Sequence, residues 1–225
     1  MSLALARLLQ LASPALPVGA FSYSQGLEWA IEEGTVRDEA TALAWIGDLL
    51  ECNLGRFEAP LLARLVAAWQ GKDLAMVRQL NELHLASRES AELRAETLQM
   101  GYSLLRLLRE LGDFPADTLS TLDAMGDVGF PTAWSAAAAA WDIPAEAAVT
   151  AWLWAWAENQ AMAALKAVPL GQSAGQRILL ALGARMPAVA QRALSLDPEA
   201  WSNLAPGFAI ASCRHETQYS RLFRS

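Results

Sequence analysis

Cys213 and His215 stand two residues apart near the end of a 225-residue chain, the pairing in this sequence closest to a metal site. A thiolate and an imidazole can hold a soft or borderline metal. Two ligands do not complete a site, and His84 is the only other histidine, so a second chain would have to supply the rest. The ordinary reading places both residues on a terminal segment, and His84 in a structural position. Glu158 is the second candidate, set among Trp152, Trp154 and Trp156. A carboxylate among aromatic rings must be hydrogen-bonded or protonated if it is buried. The sequence shows no acid, base or nucleophile beside it. Glycine-rich phosphate loops and a Gly-x-Ser-x-Gly nucleophile turn are also missing, so the reading is that of a protein that is not an enzyme.

The third candidate is the terminal segment Ser212–Ser225. It carries Arg214, Arg221 and Arg224 against Glu216, opposite in sign to a chain whose net charge is −7. As a helix it would place Tyr219, Leu222 and Phe223 on one face, at spacings of three and four. It reads either as a solvated terminus or as an arm that folds onto a partner. The expected division is a helical body over 1–211 and a partner-binding tail over 212–225, with the body's fold independent of the tail.

The elements that must carry these residues are helical. Alanine and leucine dominate, Val, Ile and Thr are sparse, and no clear period-two alternation occurs. At 54% hydrophobic and 18% charged, the chain has ample material for a core and is no candidate for disorder. The spacing predicts helices over Ser2–Leu11, from a Ser22/Gln25 capping box to Gly34, and over Asp38–Leu54, Glu58–Gln70, Asp73–Ser87 and Glu89–Leu111. Pro131 and Pro144 suit the first turns of two more, the second running through Lys166. Ala174–Leu182, a helix from Pro187 to Leu196 and a short one after Asp197-Pro198 complete the set. The expectation is an all-α, single-domain bundle of roughly eight to ten helices. On the Pro144 helix, Trp152, Trp156 and Asn159 share one face and Trp154, Glu158 and Met162 another. Both faces then need cover, from the core or from a second subunit.

The acidic balance argues against nucleic acid and anionic membrane as partners. The apolar run Ala147–Ala157 is too short to cross a bilayer. Two distant cysteines, Cys52 and Cys213, and a start without a basic, cleavable leader lead to the expectation of a cytoplasmic protein.

Three blocks resemble one family. Leu9-Gln10-Leu11-Ala12-Ser13-Pro14-Ala15-Leu16-Pro17-Val18-Gly19-Ala20-Phe21-Ser22-Tyr23-Ser24-Gln25-Gly26-Leu27-Glu28 is similar to the N-terminal signature of the UreF urease accessory proteins. Glu158-Asn159 with Lys166-Ala167-Val168-Pro169-Leu170-Gly171-Gln172 is similar to the central motif. Arg214-His215-Glu216-Thr217-Gln218-Tyr219-Ser220-Arg221-Leu222-Phe223-Arg224-Ser225 is similar to the C-terminal one. The resemblance implies an all-α scaffold without a tightly bound cofactor of its own. It implies a homodimer in a complex with UreD (UreH in some organisms) and the GTPase UreG, which supports GTP-dependent nickel insertion into apo-urease. It assigns Arg214 through Arg224 to the UreD side, and Lys166 with Glu158 to the UreG side. Cys213 lies outside the matching block. The alternative is a direct GTPase-activating regulator that supplies a side chain in trans to UreG.

Overall fold

The computed structural model describes residues 3–225. Among them every regular element is a helix. Helix α1 (Leu3–Leu11) starts where the sequence places it, the expected first residue Ser2 lying outside the described residues. Helices α2 (Leu27–Glu32) and α3 (Glu39–Leu49) follow, the second capped by Asp38, whose carboxylate accepts from Thr41 N–H while the Thr41 hydroxyl returns to the Asp38 amide. Helices α5 (Leu74–Ala86) and α6 (Ala91–Glu110) begin at Asp73 and Ser90, each accepting a main-chain N–H three residues on.

Several boundaries differ from the sequence expectation. The Ser22/Gln25 box does not form. Gln25 and Gly26 both take positive φ, 54° and 76°, so the helix starts only at Leu27, and the Gln25 side chain turns inward instead of back to Ser22. The helices expected over Asp38–Leu54 and Glu58–Gln70 are one continuous rod. Residues Leu50–Glu58 form a π-helical segment that joins α3 to α4 (Ala59–Gln70), with the Ala59 N–H bonded to the Leu54 carbonyl five residues back. A short α7 (Ala116–Asp123) follows Pro115 and was not expected. The two helices expected on either side of Pro187 are likewise one, α10 (Gln172–Ser195). Pro187 lies on an exposed side, where losing one helical bond costs least. The short element after Asp197 is a 3₁₀ turn, Pro198–Ala200, and α11 (Pro206–His215) was also missed.

Helix α8 (Phe130–Ala140) and helix α9 (Ala145–Ala167) start at prolines, Pro131 in the first turn and Pro144 at the cap. Helix α9 is central, packing on α10, α4, α3, α2 and α1. Small residues allow these close approaches: Ala133 and Ala136–Ala138 of α8 are buried beside α4 and α6. A Cβ on Gly101 of α6 would overlap the Val128 carbonyl oxygen, so only glycine lets the segment before α8 lie this close. The first aromatic face of α9 is core: Trp152 is buried and packs edge-on to Trp134 and tilted on Phe130. The second is not covered, since Trp154 and Met162 are exposed in the single chain.

Candidate functional site

The terminal segment folds back between α2 and α6, and three glutamates hold it there. Helix α11 brings His215 into a fully buried position, with Nδ1 2.7 Å from Glu92 Oε2 and Nε2 3.3 Å from Glu28 Oε2. Both ring nitrogens face carboxylate oxygens, so a glutamate holds the ring from each side. Glu28 also accepts the main-chain N–H of Leu222 at 2.6 Å and of Phe223 at 3.0 Å. Arg221 Nη1 donates to Glu92 Oε1 at 2.5 Å. Glu216 caps α6, accepting from the Ala91 and Glu92 amides, where a negative charge suits a helix N-terminus.

The last residues dock on the turn before α2. The main-chain oxygen of Ser225 accepts from Ser24 N–H, Gln25 N–H and the Ser24 hydroxyl, at 2.6, 2.9 and 2.7 Å. The left-handed backbone at Gln25 and Gly26 aims those amides, and a Cβ on Gly26 would come within 2.9 Å of the Ser212 nitrogen on α11. The Ser225 hydroxyl reaches Glu96 Oε2 at 2.7 Å, and Gln25 Nε2 donates to Glu96 Oε1, also at 2.7 Å. Gln25 Oε1 accepts from Trp156 Nε1, and Asn159 Nδ2 donates to the Tyr23 carbonyl, tying α9 to the same turn. Burial pushes the Glu96 carboxyl up to about 7, against hydrogen bonds from Ser225 and Gln25 that lower it.

This arrangement corrects the picture of a helical tail with one aromatic stripe. Helix α11 ends at His215, and the chain beyond it is irregular. Phe223 is buried, whereas Tyr219 and Leu222 face outward and Tyr219 is fully exposed. The Leu222 and Phe223 amides bond to Glu28 in place of helical carbonyls, while the His215 and Arg221 side chains reach Glu92 and the Ser225 hydroxyl reaches Glu96. Arg214, Glu216, Thr217, Ser220, Arg221 and Arg224 are exposed, with Gln218 half-buried. Cys213 is exposed and its Sγ lies 3.5 Å from the Glu89 carbonyl oxygen, so it turns away from His215. Among the described residues no group of three or more His, Cys, Asp or Glu is placed to hold a metal ion.

Lys166 and Phe223 come together although 57 positions separate them in the sequence numbering. The Lys166 Nζ lies 5.4 Å from the Phe223 ring centroid and 5.9 Å from that of Phe21, within cation–π range. Glu158, two turns earlier on α9, is half-buried, and burial raises its carboxyl above the ordinary value. Sequence reasoning missed the three glutamates that organise the site. Glu28 was within a recognised block, but Glu92 and Glu96 carried only the i,i+4 spacing of one helix face.

The sequence profile of the UreF family matches residues 36–183. The chain is 65% identical to a protein of Azoarcus sp. (strain BH72) named Urease accessory protein UreF, over 99% of this chain and 96% of the relative. The chain belongs to the UreF family. A second UreF, from Dechloromonas aromatica (strain RCB), is 61% identical over 99% of this chain and 98% of its own length. A third, from Methylobacillus flagellatus, is 50% identical over 100% and 99%. The profile match ends before the terminal segment, but these UreF relatives cover it. No described helix is long and apolar enough to cross a membrane.

Proposed function

We propose that this protein is a non-enzymatic scaffold that works with UreD and UreG to support GTP-dependent nickel insertion into apo-urease in the cytoplasm. The full-length identity to urease accessory proteins carries this reading. The geometry supports two contact regions. Exposed Tyr219 and Leu222, with Arg214, Arg221 and Arg224 around them, form an aromatic and basic surface suited to an acidic or apolar partner face, here UreD. Lys166 presents an exposed ammonium over the Phe21 ring, two turns along α9 from Glu158, on the side assigned to UreG. Nickel is cargo of the assembly, and no cofactor is assigned to this chain.

Co-purification tests the reading. Tyr219→Ala should weaken UreD binding by at least about 2 kcal/mol if the ring is a binding anchor, while the melting temperature stays near the parent value. Unchanged UreD affinity removes Tyr219 from the interface. Stimulation of GTP hydrolysis by UreG alone, lost in Lys166→Ala, would favour the alternative in which this chain supplies a side chain in trans.

A further inference from the structure

A cavity of about 320 Å³ lies under the N-terminal loop, between α6, α8 and α9. Of the residues that line it, Pro14, Phe21, Met162 and Lys166 are exposed, so it opens between that loop and the C-terminal half of α9. Leu16, Trp134 and Trp152 are buried and wall its inner part. The charged groups inside are engaged within the chain. Arg88 Nη1 lies 2.7 Å from Glu58 Oε1, and both Glu96 oxygens are taken, by Gln25 and Ser225. His84 Nε2 is paired with Thr97 Oγ1 at 3.0 Å.

The free charges stand at the opening. Glu158 and Lys166 both line the cavity, and among the described residues neither has an ion pair or a hydrogen bond. Lys166 touches only the rings of Phe21 and Phe223. Burial raises the Glu158 carboxyl, and no neighbouring group lowers it. The two lie eight residues apart on α9, about 12 Å along the helix axis. Exposed Met162 stands midway, four residues from each, on the same face. The stripe therefore reads acid, apolar, base along the rim of an aromatic cavity. Its complement is a protein segment that carries an apolar side chain between a basic group and an acidic one. Side chains that fill such pockets are the usual anchors of protein interfaces.

We propose that this cavity is the socket for an apolar side chain of UreG, whose flanking acidic group meets Lys166 and whose flanking basic group meets Glu158. The proposal rests on the assignment of the Lys166 side to UreG. Trp154 and Leu180 do not line the cavity, so a second subunit seated on them is a different contact that shares only Met162. The test is calorimetric titration of UreG into the complex of this protein with UreD. Ala155→Leu adds bulk to the cavity lining, and Glu158→Lys and Lys166→Ala alter its rim. Each should weaken UreG by at least about tenfold with UreD binding unchanged. Raised salt should weaken the parent's binding of UreG as well. Fluorine NMR of the fluorotryptophan-labelled parent, which needs no variant to fold, should show UreG shifting the Trp152 and Trp156 signals. If Lys166→Ala weakens UreG but folded Ala155→Leu binds it as the parent does, the socket is overturned and the UreG side stands. If neither variant changes UreG affinity, both fall. Loss of self-association in Ala155→Leu with UreG affinity retained gives the cavity to a second copy and overturns the proposal. Trp152 and Trp156 signals left in place by saturating UreG overturn it too.

Discussion

Glu96 is buried on α6, where its carboxyl bonds to Gln25 and Ser225 from two distant parts of the chain. Its folded value of about 7 lies above the ordinary 4.5, so the folded state holds the proton more tightly than the unfolded one. Its contribution to stability is therefore fully present below pH 4.5 and is lost as pH rises towards and through 7, by on the order of 3 kcal/mol. His84 works in the opposite sense: its lowered value means stability is lost as pH falls below the ordinary 6.5. Glu96→Gln mimics the protonated carboxyl and should remove the first effect only. In thermal melts, the variant should gain on the parent steadily between pH 4.5 and 7, and a pH-independent difference would refute the assignment. At Lys166 two explanations compete. A cation near a helix C-terminus stabilises by roughly 0.3–1 kcal/mol, and its contacts with Phe21 and Phe223 contribute similarly at an exposed site. Lys166→Ala should thus melt slightly lower on either account. Weaker UreG recruitment with unchanged UreD binding is expected only from the functional role, and full nickel occupancy of urease from cells carrying the variant would reduce Lys166 to a structural residue.

At the scale of elements, the terminal segment behaves as part of the fold. It supplies a buried ring at His215, a buried Phe223 and main-chain donors to Glu28. Removing Cys213–Ser225 would leave Glu28, Glu92 and Glu96 short of partners in a partly apolar setting. Truncation should lower the melting temperature as well as abolish UreD binding, against the sequence expectation of an unaffected helical body. Phe223→Ala, retaining the rest, should cost about 3 kcal/mol in denaturant unfolding. Gly101→Ala should be strongly destabilising for a different reason, since its Cβ has no room beside the Val128 carbonyl. Long amphipathic helices and their caps were legible in the sequence because Asp38, Asp73 and Ser90 act locally. The inward turn of Gln25 was not, because long-range partners at Glu96 and Trp156 decide it. The same holds for Phe223, whose burial depends on Glu28 binding its amide from far away in sequence. Pro187 misled for the converse reason: packing of α10 on α9 outweighs one lost helical bond.

For the whole molecule, the uncovered face is the main unfinished business of the single chain. Trp154 and Met162 on α9 and Leu180 on α10 are exposed. Burying such side chains is worth roughly 1.5–3 kcal/mol each, which favours a second subunit there. Analytical ultracentrifugation of the complex with UreD should find two copies of each chain, and a strict one-to-one species at micromolar concentration would rule out the dimer. The π-helical segment bears on all of these surfaces through helical phase. Each α-helical residue advances about 100° around the axis, and the wider turns between Leu50 and Glu58 reset that count before α4 begins. The rod packs on α10 along its whole length, through α3, through Leu50–Glu58 and through α4, and α4 packs on α8 as well. Deleting a single residue within 50–57 would leave the rod helical but rotate one half against the other, turning the buried side of α3 or of α4 toward solvent. The rod acts as a fixed gear between two halves of the bundle, tolerant of substitution along its outer side and intolerant of any change in length.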